Sequence, residues 1–79
     1  MIRTVKHYVC RQLPHYVQRR KPYEVHIIER SDSLEVYYQK DQYPAFYAFG
    51  VQKKYIDLEY AFSIAWANLK DYEGDMFND

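Results

Sequence analysis

The chain has 79 residues, 48% of them hydrophobic, and a formal net charge of zero from eleven Lys and Arg against eleven Asp and Glu. A chain of this length makes one domain with a small core, burying about 60–65% of its unfolded surface. A single cysteine, Cys10, excludes an internal disulfide and points to a reducing, cytoplasmic setting. No stretch approaches the ~18 apolar residues of a membrane span, and MIRTVKHYVCRQ lacks the apolar run of a secretory signal. Two Gly and three Pro argue against disorder and against a Gly-rich phosphate loop. Ten Tyr against four Phe suit a half-wet sheet or an interface, because the ring is apolar while the hydroxyl needs a partner or water.

In chain order, Val5, Val9, Leu13 and Val17 follow i, i+4 spacing with Tyr8 and Tyr16 beside them, which predicts a helix over 2–20. Pro14 should kink or split it, and the β-branched residues also permit a strand over 3–9. The run Arg19 to Pro22 closes this element. Tyr23, Val25 and Ile27 then alternate with Glu24 and His26, predicting a strand over 23–30. Ser31, Asp32 and Ser33 are turn residues. Leu34, Val36 and Tyr38 alternate with Glu35 and Tyr37, predicting a second strand over 34–39. After Lys40, Asp41 and Gln42, the stretch YPAFYAFGV predicts a third strand over 44–51, with Pro44 near its start, where a missing N–H is tolerated.

The last element is the clearest. Asp57 caps a helix over 58–72, with Glu59 in its first turn. Leu58, Ala61, Phe62, Ala65, Trp66, Leu69 and Tyr72 form an i, i+3, i+4 stripe that must cover the sheet. Gly74 suits the C′ position, leaving an acidic tail over 73–79. The expected fold is α+β, a single domain in the order α-β-β-β-α. Short turns make the three strands an antiparallel meander, covered on one face by helices.

The zero net charge hides a polarity. Residues 1–23 carry Arg3, Lys6, Arg11, Arg19, Arg20 and Lys21 without an acid; residues 55–79 carry Asp57, Glu59, Asp71, Glu73, Asp75 and Asp79 against Lys70. Catalytic patterns are absent: there is neither G-x-S-x-G nor H-E-x-x-H. His7 and Cys10 stand at i, i+3 and would seat two metal ligands, with no second pair to complete a site. In the acidic stretch from Asp71, Gly74 falls at the fourth position and not the sixth that a calcium loop needs. Glu24, Glu29 and Glu35 read as a solvated face. The sequence thus predicts neither an enzyme nor a bound metal or cofactor.

Two binding readings follow. In the first, Asp71, Glu73, Asp75 and Asp79 face a basic surface on a protein partner, with Tyr72, Met76 and Phe77 as apolar anchors. Four carboxylates near a helix C-terminus oppose its dipole, and a locally unfavourable segment invites another use. In the second, Arg11, Arg19, Arg20, Lys21, Lys53 and Lys54 contact phosphates, with Tyr16 and Tyr23 as stacking surfaces. The charge split also permits a head-to-tail homodimer or an intramolecular clasp between the opposite ends.

The element order, with Lys53 and Lys54 ahead of the last helix in QKKYIDLEYAFSIAWANL, is similar to that of double-stranded-RNA-binding domains, where lysines at that place contact phosphates. Asp57 and Glu59 depart from that pattern. The stretch YPAFYAFGVQKKYIDLEYAFSIAWANL, through Asp57 and Ala61, also resembles the strand-then-helix segment of HicB-type antitoxins. The interleaved carboxylates and aromatics of LKDYEGDMFND resemble in kind the small acidic phage-encoded inhibitors, among them anti-CRISPRs. That likeness implies a host nucleic-acid-handling protein with a basic surface as the partner.

Overall fold

Pro14 and Pro22 leave seven residues between them. That is too short for a stable isolated helix and the ordinary length of a strand. The computed structural model, which describes residues 13–76, makes this segment β1 (His15–Arg20). The helix expected over 2–20 is therefore corrected from residue 15 onward; residues 2–12 lie outside the described residues. β2 (Tyr23–Glu29), β3 (Ser33–Lys40) and β4 (Phe46–Gln52) follow, then helix α1 (Leu58–Asn68), a 3-10 turn (Leu69–Asp71) and a short helix α2 (Glu73–Met76). The class is α+β, but the sheet has four strands and not three, so the α-β-β-β-α order is not the one found.

The strands run antiparallel in sequence order β1-β2-β3-β4. Each turn suits its residues. Lys21 and Pro22 make a two-residue link between β1 and β2. Asp41, after β3, takes a positive φ of 47°, a conformation its short polar side chain tolerates. Between Val36 and Tyr37 the β3–β4 register shifts, leaving Ala48 as the extra residue of a bulge.

Alternation sorts the side chains as the period of two requires. Val25 and Ile27 from β2, Leu34, Val36 and Tyr38 from β3, and Phe46 from β4 form the core with Ala61, Phe62 and Ala65 of α1. Ala61 and Ala65 lie one turn apart and are fully buried, letting the helix backbone approach the sheet closely. The Tyr38 hydroxyl donates to the Ala65 carbonyl, and burial pushes its pKa far up. All seven residues of the predicted helical stripe lie in or against this core. The opposite face of the sheet is not wholly wet: His26, Ile28 and Tyr37 are buried there. Among the described residues no helix is long and apolar enough to cross a membrane.

Candidate interaction face

The helical layer begins where the sequence places it. The Asp57 carboxylate accepts from the Tyr60 backbone N–H at 2.8 Å, capping α1. The layer then departs from a single helix over 58–72. α1 ends at Asn68, and Gly74 lies inside α2, so it is not a C′ residue. Glu73 and Asp75 belong to α2, a separate four-residue helix, and so do not stand at the end of the single 58–72 helix whose dipole they were expected to oppose.

This break divides the predicted anchors. Tyr72 turns inward, its ring 5.3 Å from Tyr38, 6.1 Å from Phe46 and 6.2 Å from Phe49, centroid to centroid. It is a core residue and not a surface anchor. Glu73 accepts a hydrogen bond from the Tyr23 hydroxyl, and this bond leads the causes that raise the tyrosine pKa. The acidic segment is thereby clasped to β2, through a phenol and not an ion pair. Asp71 and Asp75 remain exposed. Met76 ends α2, while Phe77 and Asp79 lie outside the described residues.

The outer side of α1 carries what the stripe leaves over. Glu59, Tyr60, Ser63 and Ala67 are exposed, and Tyr60 keeps 58% of its surface in solvent. Residues 60, 63 and 67 share one face of a helix and lead on to Lys70 and Asp71. Tyr60 was not singled out from the sequence. Its signal was the complement of the buried stripe: an aromatic at a position the core does not use. From Asp57 to Met76 the layer holds five acids and one lysine. Among the described residues, Glu59, Asp71 and Asp75 make no ion pair.

The sheet treats its charges differently. Arg19 pairs with Glu24 at 2.7 Å, Arg30 with Glu35 at 2.9 Å, and Lys53 with Glu29 at 2.7 Å. The Arg19 hydrogen bond holds the Glu24 carboxyl below its usual range, and Lys53, with help from the Tyr16 hydroxyl, does the same for Glu29. The three glutamates are thus an ion-paired set and not merely a solvated face. Glu24 also accepts from His26 Nε2 at 2.8 Å, and His26 Nδ1 lies 3.0 Å from His15 Nε2. One arrangement of protons satisfies this row: His26 donates to Glu24, leaving Nδ1 bare to accept from His15. Burial pushes both imidazole pKa values down, and the neighbouring imidazole adds to the effect on His15.

The proposed phosphate-binding set is dispersed. Arg19 and Arg20 alternate across β1: Arg19 lies with Glu24, while Arg20 stacks on the other face, 4.5 Å over the Trp66 ring. The Trp66 indole N–H donates to Gln18 beside it at 2.9 Å, fixing α1 to β1. Lys21 is exposed in the β1–β2 link. Lys53 and Lys54 belong to the opposite end of the sheet, about 20 Å away by the rise of a seven-residue strand. There they line an open cleft of about 640 Å³ with Ser31, Asp32, Ser33 and Gln52. Lys53 is spent on Glu29 and the Arg30 carbonyl, while Lys54 lies 5.1 Å over the Tyr55 ring. The Tyr16 hydroxyl donates to Glu29 and the Tyr23 hydroxyl to Glu73, and Lys40 Nζ lies 5.5 Å over the Tyr23 ring. Arg11, like His7 and Cys10, lies outside the described residues. Among the described residues no three His, Cys, Asp or Glu side chains are grouped to hold a metal ion. No protein-family model matches the chain, and neither a curated protein nor a solved structure is similar to it.

Proposed function

We propose that this is a small, non-enzymatic, cytoplasmic binding protein that docks its acidic helical layer onto a basic protein surface. The partner is a nucleic-acid-handling protein, as for the phage-encoded inhibitors that the acidic, aromatic C-terminal stretch resembles. One observation carries the reading: among the described residues Glu59, Asp71 and Asp75 are exposed and make no ion pair, and Tyr60 beside Glu59 is exposed as well, whereas the sheet's glutamates all have cations. Unsatisfied charge of one sign steers a partner of the other sign, and an exposed aromatic on the same layer supplies buried area. Tyr60 takes the anchoring role expected of Tyr72. The nucleic-acid reading has less support, because its cations are divided between the two ends of the sheet and partly neutralised.

The test compares the wild-type chain with a Glu59→Lys/Asp71→Lys/Asp75→Lys variant as baits in native host lysate, with nuclease and at raised salt. The reading expects a protein captured by the wild type and lost by the variant. Equal capture by both baits, or a catch that vanishes with nuclease, overturns it.

A further inference from the structure

The sheet has two outer strands, and they are guarded unequally. β1 reads HYVQRR and carries Arg19 and Arg20, with Lys21 next to it. Charges of this kind are a common defence of an exposed edge. β4 reads FYAFGVQ and has no charged residue. It pairs, among the described residues, with β3 alone, and α1 lies over β2 and β3. Among the described residues, the one β4 backbone group with a further backbone partner is the Gln52 carbonyl, which accepts from Tyr55 and Ile56. The remaining outward N–H and C=O groups of β4 meet no further strand among the described residues and form an open ladder.

The bulge at Ala48 protects only the first half of this edge. Beyond it, Phe49 to Gln52 pair in regular register with Val36 to Ser33, so the second half is an ordinary strand with a free side. Phe49 and Val51 are partly exposed, and Gly50 between them is exposed and lacks a side chain to hold another backbone away.

We propose that two copies of this chain pair through β4, antiparallel about Gly50, into one continuous sheet of twice four strands. The occupant follows from what this register sets side by side. Phe49 meets Val51 of the second copy, an aromatic against a β-branched residue, which is a favourable cross-strand pair. The pairing is confined to Phe49, Gly50 and Val51 of each copy, between the bulge at Ala48 and the turn that follows Gln52. No like charges oppose one another. The edge thus complements itself, and it includes none of the carboxylates of the helical layer, although Phe49 packs on Tyr72.

Light scattering or sedimentation of the full chain across the micromolar range tests the pairing. The expected mass is twice 9.7 kDa. Gly50→Lys sets two cations opposite each other at the two-fold axis and should give the single-chain mass with an unchanged circular dichroism spectrum. The added Cβ meets only the movable Tyr47 hydroxyl, at 2.9 Å, and the Leu34 carbonyl at an ordinary 3.6 Å. Should that variant unfold, Gly50→Cys in a Cys10→Ser background decides. Directly opposed strand residues fall within disulfide reach, so oxidation should cross-link it, while Val17→Cys on β1 should stay uncrosslinked. A wild-type chain that is monomeric throughout, a Gly50→Lys variant that dimerises as tightly as wild type, or equal cross-linking at residues 17 and 50 overturns the proposal.

Discussion

The two layers of this molecule hold their charges in opposite ways. In the sheet, Glu24, Glu29 and Glu35 each meet a cation within 2.9 Å, and Glu24 also anchors the row His26–His15. In the helical layer, Glu59, Asp71 and Asp75 have no such partner among the described residues. Exposed pairs contribute little to stability, typically under about 1 kcal/mol each. What the difference teaches concerns placement. Charge that the fold neutralises belongs to the fold, and charge left open across the helical layer is available to something else.

Predictions that strain this comparison run from large effects to small. Tyr72 stands on the border, since the sequence groups it with the acidic segment and the structure packs it on Tyr38, Phe46 and Phe49. Tyr72→Ala should cost roughly 3 kcal/mol of unfolding free energy, as for other packed aromatics, read by urea titration. An unchanged midpoint would return Tyr72 to the surface. Asp57→Ala should cost about 1 kcal/mol, the usual worth of an N-cap, because the Tyr60 N–H loses its acceptor.

The sheet's neutral imidazoles make the next test. The folded pKa values of His15 and His26 lie below 6.5, their ordinary value when unfolded. The unfolded chain therefore binds more protons as pH falls below about 6.5, so stability is full above that value and is lost as pH drops through the lowered folded values. Glu24 acts in a separate window, below its ordinary 4.5. Unfolding titrations at about pH 7.5 and about pH 5 should show the loss, and His26→Gln should flatten it. A wild-type slope that the substitution leaves intact would contradict the assignment of the loss to the buried His26. Smallest of all, Tyr23→Phe should cost about 1 kcal/mol or less, the net worth of one hydrogen bond. Its informative readout is hydrogen exchange, which should quicken in α2 once Glu73 is released.

Much of the fold was legible in the chain. The alternation through β2 and β3 and the stripe from Leu58 to Tyr72 dictated which side chains face each other, and they do. β1 was misread because Val17 stands four residues on from Leu13, a spacing that also suits a helix, while pairing with β2 across the Lys21–Pro22 link is a tertiary gain that no local spacing reports. The break after Asn68 was also hidden, since the inward stripe continues through Leu69 and Tyr72 although the backbone leaves the α-helix. The candidate site was legible in its charge but not in its anchor. Charge adds along the chain regardless of direction, whereas deciding between Tyr60 and Tyr72 requires knowing which side of the helix is already used.

The central claim is that the open acidic layer is a binding face and not a solubilising coat. Capture from host lysate by the wild-type chain and by its Glu59→Lys/Asp71→Lys/Asp75→Lys variant tests it most directly, provided both unfold at the same urea concentration. The account predicts a nuclease-resistant protein partner on the wild type alone. The same partner on both baits would contradict it.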